Sequence, residues 1–215
     1  CPLNFRRAFF MKKISTKKIA YTALMTALVT IATVLLGVSN GETYTNLGDT
    51  VIFITAVLLG PIPALIAGGF GSFFADLIVF PLTMWVTLVI KGLEGLICAL
   101  LCRAVDKMSA SKAVKVTLSV FSMLAAGVFM MAGYFLAEAF IYGTLAGAVY
   151  ALGANAIQAG FSTVFAAVLV YGMKLIAHKV DFKKKRLRAD NTEIHIGDVE
   201  EKDKNEKDNS ISNNK

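Results

Sequence analysis

Long apolar stretches separated by short polar segments dominate the chain between residues 19 and 176. A helix needs about 20 mostly apolar residues to cross the hydrocarbon core of a bilayer. The pattern therefore predicts an all-α membrane protein with six transmembrane helices. We place these helices at residues 19–38, 50–66, 67–80, 82–101, 116–137 and 149–176.

The second and third predicted helices are the least regular of the six. The sequence Gly60-Pro61-Ile62-Pro63 interrupts the second helix, and the third is glycine-rich and short. We expect the third helix to be tilted or partly sheltered by its neighbours, because a fully exposed span would need more residues.

Lysine and arginine residues mark one side of the predicted bundle. They cluster before the first helix, after the sixth, and between the fourth and fifth, whereas residues 39–49, 80–86 and 138–148 contain none. Basic residues favour the cytoplasmic side of a membrane protein. The sequence thus predicts that both termini are cytoplasmic, which also agrees with an even number of spans.

Composition excludes several classes of protein. The chain is 56% hydrophobic and only 17% charged, against roughly 25% charged residues in soluble domains, and its mean hydropathy is +0.63. The net charge of +7 does not indicate nucleic-acid binding, since such a surface needs Lys and Arg along a folded face. Here the basic residues lie at membrane edges and in the tail, where contact with membrane lipid is expected.

The two ends differ from the membrane region. Residues 1–18 form a basic N-terminal segment, of which residues 1–10 look foreign and Met11 looks like a natural start. Residues 177–215 are charged and poor in apolar residues, so we predict a disordered cytoplasmic tail. The basic cluster at 183–186 fits contact with anionic lipid or a stop-transfer signal equally well.

Ionisable and amide side chains inside predicted spans are candidate functional residues, because burying them in a membrane is expensive. Asp76 lies in the third span, Lys91 and Glu94 in the fourth, and Asn155 and Gln158 in the sixth. The spacing of three within each pair places both members on one helix face. A simple neutralising pair and helix–helix hydrogen bonding are the structural alternatives.

Four further candidates lie at the predicted outer ends of the helices: Asn46, Asp49, Trp85 and Glu138. Asp49 directly precedes an apolar run, so capping of the second helix is an alternative role. Trp85, the only tryptophan, fits a lipid-facing interfacial belt or stacking on a heteroaromatic ligand.

Catalytic and metal-binding motifs are missing from the sequence. There is no GxxxxGK[ST] phosphate loop, HExxH, GxSxG or acidic metal cluster. Cys1, Cys98 and Cys102 do not have metal-site spacing, and both histidines lie near or in the tail. We therefore predict a protein that is not an enzyme and has no cofactor, metal or nucleotide site of its own.

Small residues recur on the helices. Ala23 and Ala27 on the first helix are four residues apart, and Gly68, Gly69 and Gly71 lie near the start of the third. Such small-residue faces allow two membrane helices to approach closely.

The membrane region resembles the substrate-binding S components of energy-coupling factor (ECF) transporters. The resemblance rests on NLGDTVIFITAVLLGPIPALIAGGFGSFFADL at 46–77 followed by KGLEGL at 91–96, and it covers about residues 17–176. The ordered series NLGD, LLGP, GGFGS, ADL and KGLEG is specific as a set. Ala23 and Ala27 match the AxxxA motif by which such components contact their coupling partner. Ala64 departs from the family's frequent GPxxG turn.

The resemblance implies a six-helix fold in a prokaryotic plasma membrane, with a vitamin-sized ligand bound near the outer face. It also implies a transmembrane coupling subunit and two ATPase subunits as partners. A hydroxymethylpyrimidine or pyridoxine-like compound fits the polar candidates best, with riboflavin second. The substrate-binding candidates are Asn46, Asp49, Asp76, Trp85, Lys91, Glu94, Glu138, Asn155 and Gln158.

Two functions from other classes stay open. A self-sufficient channel or secondary carrier would be supported by inverted repeats, and we find none in the sequence. A membrane-embedded enzyme would need a catalytic set, which the motifs above do not provide.

Overall fold

Six α-helices account for most of the chain that the computed structural model describes, namely residues 15–39, 44–141 and 145–173. Five of them are long and apolar enough to cross a membrane, and α2 is shorter. The predicted all-α membrane fold with six helices is confirmed. The helices are α1 Thr16–Leu35, α2 Gly48–Leu58, α3 Pro61–Val79, α4 Met84–Lys107, α5 Lys112–Leu136 and α6 Leu145–Met173.

Two small elements lie beside the helices. Val38–Ser39 pairs antiparallel with Tyr44–Thr45 between α1 and α2, with Val38 opposite Thr45. A π-helical turn, Ala137–Ile141, extends α5. The chain through Val170 forms one compact unit, and the second unit is described only over Tyr171–Met173, the end of α6. The predictions for residues 1–10 and for the tail lie outside the described residues.

The predicted boundary between the second and third helices is wrong. The chain turns at Gly60, where φ is 88°, and Pro61 is the first residue of α3. A proline is tolerated in the first turn of a helix, because its missing N–H would have no intrahelical acceptor there. The Gly-Pro sequence therefore starts α3 and does not interrupt α2. As a result α3 has a full span of 19 residues, and α2 is the short helix.

Helix α2 is too short to cross the bundle, and its first residue lies well inside it. Its 11 residues extend over about 16 Å. At the start of α2, Asp49 pairs with Lys91 of α4. Lys91 is seven residues after Met84, the first residue of α4, and thus lies about 10 Å along that helix. At the end of α2, a Cβ on Gly60 would lie 2.6 Å from the Arg103 guanidinium. Helix α2 therefore begins well inside the bundle, and its charged first turn is buried.

Close backbone contact between α3 and α4 fixes the part of α4 that carries the buried charges. A Cβ on Gly68 would lie 2.5 Å from the Lys91 carbonyl oxygen, and one on Gly95 would lie 2.6 Å from the Ala64 carbonyl oxygen. Both contacts are with backbone, which cannot move aside as a side chain can. The predicted small-residue face of the third helix thus permits the tight α3–α4 packing.

An apolar core fills the opposite half of the bundle from the cavity described below. Phe53, Cys98 and Met123 are fully buried in it, and Cys102 is nearly so. Large apolar side chains elsewhere, such as Val128, stay exposed on the outside, as expected for lipid-facing positions. Cys98 and Cys102 are free thiols within this packing.

Candidate ligand site

A polar cavity lies at one end of the bundle, where α3, α4, α5 and α6 meet the segment before α2. Its volume is about 160 Å³, and it is partly open. The basic residues of the α4–α5 connection lie at the other end of these helices. The cavity is lined by Asn46, Asp76, Phe80, Thr83, Thr87, Lys91, Tyr134, Glu138, Ala151, Asn155 and Gln158.

A buried charge cluster of Asp49, Lys91 and Glu94 lies beside the cavity. The Lys91 ammonium donates a hydrogen bond to Asp49 Oδ1 and lies 3.2 Å from Glu94 Oε2. Lys91 is only 3% exposed, and Asp49 and Glu94 are fully buried. The expected Lys91–Glu94 pair is present, but Asp49 from α2 joins it as a third member. Lys91 is the member that reaches the cavity.

Gln158 connects α6 to this cluster. Its Nε2 donates to Asp49 Oδ2 at 2.8 Å, and its Oε1 accepts from the Asn46 backbone N–H at 2.9 Å. Asn46 Oδ1 in turn accepts from the Gly48 N–H at 2.9 Å. These bonds satisfy the first N–H groups around the start of α2, which have no intrahelical acceptor. Three helices are thereby joined at the wall of the cavity.

Glu94 stands out because its carboxylate is poorly satisfied. Neither oxygen has a hydrogen-bond donor among the described residues, although Lys91 is within ion-pair distance. The cluster contains two carboxylates and one ammonium, so its formal charge is negative. Apolar side chains would fill this space without the desolvation free energy that buried charges cost. The presence of charges here therefore favours a functional role.

A second set of polar groups also lines the cavity. Thr83 Oγ1 donates to Asp76 Oδ2 at 2.9 Å, and the Tyr134 hydroxyl donates to Thr87 Oγ1 at 3.1 Å. The Lys91 ammonium lies 5.6 Å from the centroid of the Tyr134 ring. Tyr134 thus lies between the Lys91 ammonium and Thr87 and offers the cavity an aromatic surface.

The structure brings together most of the residues selected from the sequence. Asn46, Asp76, Lys91, Glu138, Asn155 and Gln158 line the cavity, while Asp49 and Glu94 are buried beside Lys91.

Trp85 lies outside the cavity. It is 63% exposed, and its ring packs against Phe73 with the centroids 5.1 Å apart. Its position fits the interfacial-belt alternative, and stacking of a ligand on Trp85 finds no support in this geometry.

Sequence reasoning missed the cavity residues Phe80, Thr83, Thr87, Tyr134 and Ala151. Most of them repeat the spacing of residues that were found. Thr83 and Thr87 precede Lys91 by eight and four residues on α4, and Tyr134 precedes Glu138 by four. A search of the same helix faces for polar side chains four or eight residues before those already selected would have identified Thr83, Thr87 and Tyr134.

No group of three or more His, Cys, Asp or Glu side chains within the described ranges is placed to hold a metal ion. The chemistry that the cavity offers is hydrogen bonding and charge. It presents one ammonium, three amides, hydroxyl groups and carboxylates to a bound molecule. Such a set recognises a polar small molecule that carries both donors and acceptors.

A small-residue face lies on α1. Ala23 and Ala27 are exposed, whereas Thr22 and Val29 on another face of the same helix are buried against the bundle. The two alanines leave a shallow surface that no described element covers.

Two comparisons with known proteins bear on the chain. Over 71 residues, 32% of this chain and 48% of the relative, it is 45% identical to a protein of Pyrococcus woesei described as an uncharacterized protein in the gap 3′ region. The chain therefore matches only about half the length of that relative. The model of the ECF-type riboflavin transporter S component family matches residues 13–175, which include all six helices. The fold agrees with this match, and the chain belongs to the family of ECF-type riboflavin transporter S components, a family of multi-pass membrane proteins.

Proposed function

We propose that this S component binds a hydroxymethylpyrimidine or pyridoxine-like vitamin or precursor for uptake, with ATP hydrolysis supplied by partner subunits. The observation that carries the proposal is the polar cavity at one end of the bundle, in which the buried Lys91 is held by Asp49 and Glu94.

The size of the cavity supports a small ligand. Its volume of about 160 Å³ is below the roughly 300–1,000 Å³ of typical drug-sized ligand sites. A single aromatic ring with hydroxyl or amino substituents suits this space. Ring nitrogens and hydroxyl groups can pair with Lys91 and Asn155, and the ring can contact Phe80 or Tyr134, all of which line the cavity.

Riboflavin is the second candidate because the matching family is described as a riboflavin transporter component. Riboflavin has three fused rings and a ribityl chain, so it needs more room than a one-ring compound. Its binding would require the cavity to widen. The two candidates therefore differ in the volume that they require.

The proposed orientation places the cavity toward the outside of the cell. Arg103, Lys107, Lys112 and Lys115 lie at the opposite end of α4 and α5 from the cavity, and basic residues favour the cytoplasm. A vitamin arriving from outside would then meet the cavity directly.

The proposed coupling surface is the face of α1 that carries Ala23 and Ala27. Both alanines are exposed, and small residues let a partner membrane helix approach closely. The sequence has no phosphate loop, so we assign ATP hydrolysis to two ATPase subunits that act through a transmembrane coupling subunit.

Titration of the purified protein in lipid nanodiscs with hydroxymethylpyrimidine, pyridoxine and riboflavin tests the proposed ligand class. We expect saturable binding, tightest for one of the two one-ring compounds. Asn155→Ala should weaken that binding several-fold, because a lost hydrogen bond costs about 0.5–1.5 kcal/mol. Phe161→Ala, at an exposed position of the same helix, is the matched control and should bind normally.

Three outcomes would change the proposal. Tightest binding of riboflavin would replace the one-ring ligand by the second candidate. Binding of none of the three compounds would contradict the proposed ligand class. Vitamin accumulation in vesicles that contain this protein alone would favour a self-sufficient carrier over an ATP-driven complex.

A further inference from the structure

Basic side chains cluster around the connection between α4 and α5. Arg103 and Lys107 are four residues apart near the end of α4, and Lys112 and Lys115 are three apart at the start of α5. Each pair therefore lies on one face of its helix. The Lys115 ammonium donates a hydrogen bond to the Asp106 carbonyl oxygen at 2.9 Å, which places the first turn of α5 beside the last turn of α4. These four cations form the basic patch.

The positive charge of the basic patch is largely uncompensated. Arg103, Lys107 and Lys112 are exposed, and within the ranges that the structure describes their side chains form no ion pair and no hydrogen bond. Asp106 is the only acidic residue between residues 95 and 137, so this stretch has a net formal charge of +3. A surface with such a charge attracts anions.

The Arg103 guanidinium extends to the turn between α2 and α3. A Cβ on Gly60 would lie 2.6 Å from one of its terminal nitrogens, and this close approach is possible because Gly60 has no side chain. A guanidinium carries five N–H donors in a planar fork that fits a phosphate group. No acceptor for these donors lies among the described residues, so the donors are open to a ligand.

Exposed apolar side chains border the basic patch. Leu100 lies three residues before Arg103 on the same face of α4, and Leu58 and Ile62 lie on either side of the Gly60 turn. Exposed apolar side chains of a membrane helix face acyl chains, whereas Lys and Arg near its ends extend to the level of the headgroups. The patch therefore offers cations and an apolar surface to the same molecule. A phospholipid can contact both, and a soluble anion can contact only the cations.

We propose that the basic patch binds an anionic phospholipid, with the headgroup phosphate at Arg103 and Lys107 and an acyl chain along Leu100. The site lies at the opposite end of α4 from the ligand cavity, and it does not depend on which vitamin the cavity binds. Each Lys or Arg close to an anionic membrane surface adds about fivefold in affinity. A zwitterionic lipid carries the same phosphate but also a cation, which the patch repels, so the anionic lipid should be preferred.

Quenching of tryptophan fluorescence by brominated lipids measures this preference in vesicles. Leu101→Trp in a Trp85→Phe background places the only tryptophan close to Arg103, at an exposed position of α4. The measured quantity is the association constant of brominated phosphatidylglycerol relative to that of brominated phosphatidylcholine, each diluted in phosphatidylcholine. We expect a ratio of at least about ten at this reporter. The native Trp85, exposed near the other end of α4, is the second reporter, and its ratio should be close to one.

Removing two cations should remove most of the preference. In Arg103→Gln with Lys107→Gln, we expect the ratio at the Leu101→Trp reporter to fall at least about fivefold, because the headgroup loses two attractive charges. Lys17→Gln with Lys18→Gln is the matched control. It removes the same amount of charge at the start of α1 and should leave the ratio unchanged. Arg103→Lys with Lys107→Arg keeps both charges and should keep the preference.

Four results would overturn the proposal. An equal loss in the Lys17 and Lys18 control would indicate general attraction between the protein and the membrane surface. Displacement of the brominated lipid by soluble glycerol phosphate would make a free anion the ligand. Loss of the preference in the variant that keeps both charges would remove its electrostatic basis.

The fourth result concerns a competing occupant within the chain. Residues 190–208 contain eight Asp or Glu and three Lys, so this acidic stretch also complements the charge of the basic patch. A full-length chain without lipid preference, together with a clear preference in a chain that ends at residue 189, would assign the patch to the acidic stretch. A ratio close to one in both chains would show that the patch binds neither.

Discussion

Replacing both Ala23 and Ala27 with Trp is expected to abolish vitamin uptake and co-purification with the coupling subunit, while ligand binding by the isolated protein stays intact. The two alanines are exposed on α1 and four residues apart, so two indoles would cover one face. Bulk there would prevent close approach of a partner helix, on which a membrane interface depends. The cavity is lined by residues of other elements, so it should be spared.

Leu24→Trp with Leu28→Trp is the matched control. Leu24 and Leu28 are also exposed on α1, but each lies about 100° around the helix from its alanine neighbour. This control should support uptake and co-purification. Transport at a normal rate by the Ala23 and Ala27 variant would place the docking face elsewhere. Loss of uptake in both variants would mean that bulk on α1 is harmful at any position.

Replacing Lys91 with Met is expected to weaken vitamin binding at least about tenfold. Among the residues that the structure describes, Lys91 is the only one that offers an ammonium to the cavity, and a charge-assisted hydrogen bond is worth about 1.5–3 kcal/mol. The same change leaves Asp49 and Glu94 without their common counter-ion. Breaking a buried pair in this way costs about 3–5 kcal/mol, so thermal unfolding must be measured beside ligand affinity.

Lys91→Met combined with Glu94→Gln separates binding from stability. The double variant keeps one carboxylate, Asp49, and has the same formal charge as the native cluster. Lys91→Met should lower the unfolding temperature more than the double variant does, because the double variant has one fewer unpaired buried charge. Its vitamin affinity should stay low. Native affinity in the folded double variant would make Lys91 a structural residue.

The charged part of the site could be predicted because polarity is rare in membrane helices. Lys91, Glu94 and Gln158 interrupt apolar runs, and each such interruption is expensive. Their main partnership could not be predicted, because Asp49 and Lys91 are 42 residues apart in the chain. The contact depends on the depth at which the short helix α2 begins.

Pro61 and Trp85 show where the preference of a residue type does not decide its structural role. Pro61 has the same local preference whether it ends one helix or begins the next, and the interpretation of Gly60-Pro61 as an interruption of the second helix was wrong. Trp85 is amphipathic, so its residue type suits either a ligand or the membrane interface. In the structure Trp85 is exposed and packs against Phe73, a placement that periodicity does not reveal.

Ligand protection of a cysteine in the cavity is the most direct test that this cavity is the vitamin site and opens to the outside. Thr83→Cys would be made in a Cys1→Ser background, since Cys98 and Cys102 are buried, and treated in intact cells with a membrane-impermeant thiol reagent. Two variants serve as controls. Leu82→Cys is next to Thr83 but outside the cavity lining, and Leu82 is 80% exposed. Ser109→Cys lies at the other end of α4. We expect both Thr83→Cys and Leu82→Cys to react, the vitamin to slow labelling only of Thr83→Cys, and Ser109→Cys to stay unlabelled. Labelling of Thr83→Cys at the same rate with and without saturating vitamin would contradict the assignment of the cavity, and labelling of Ser109→Cys from outside would contradict the orientation.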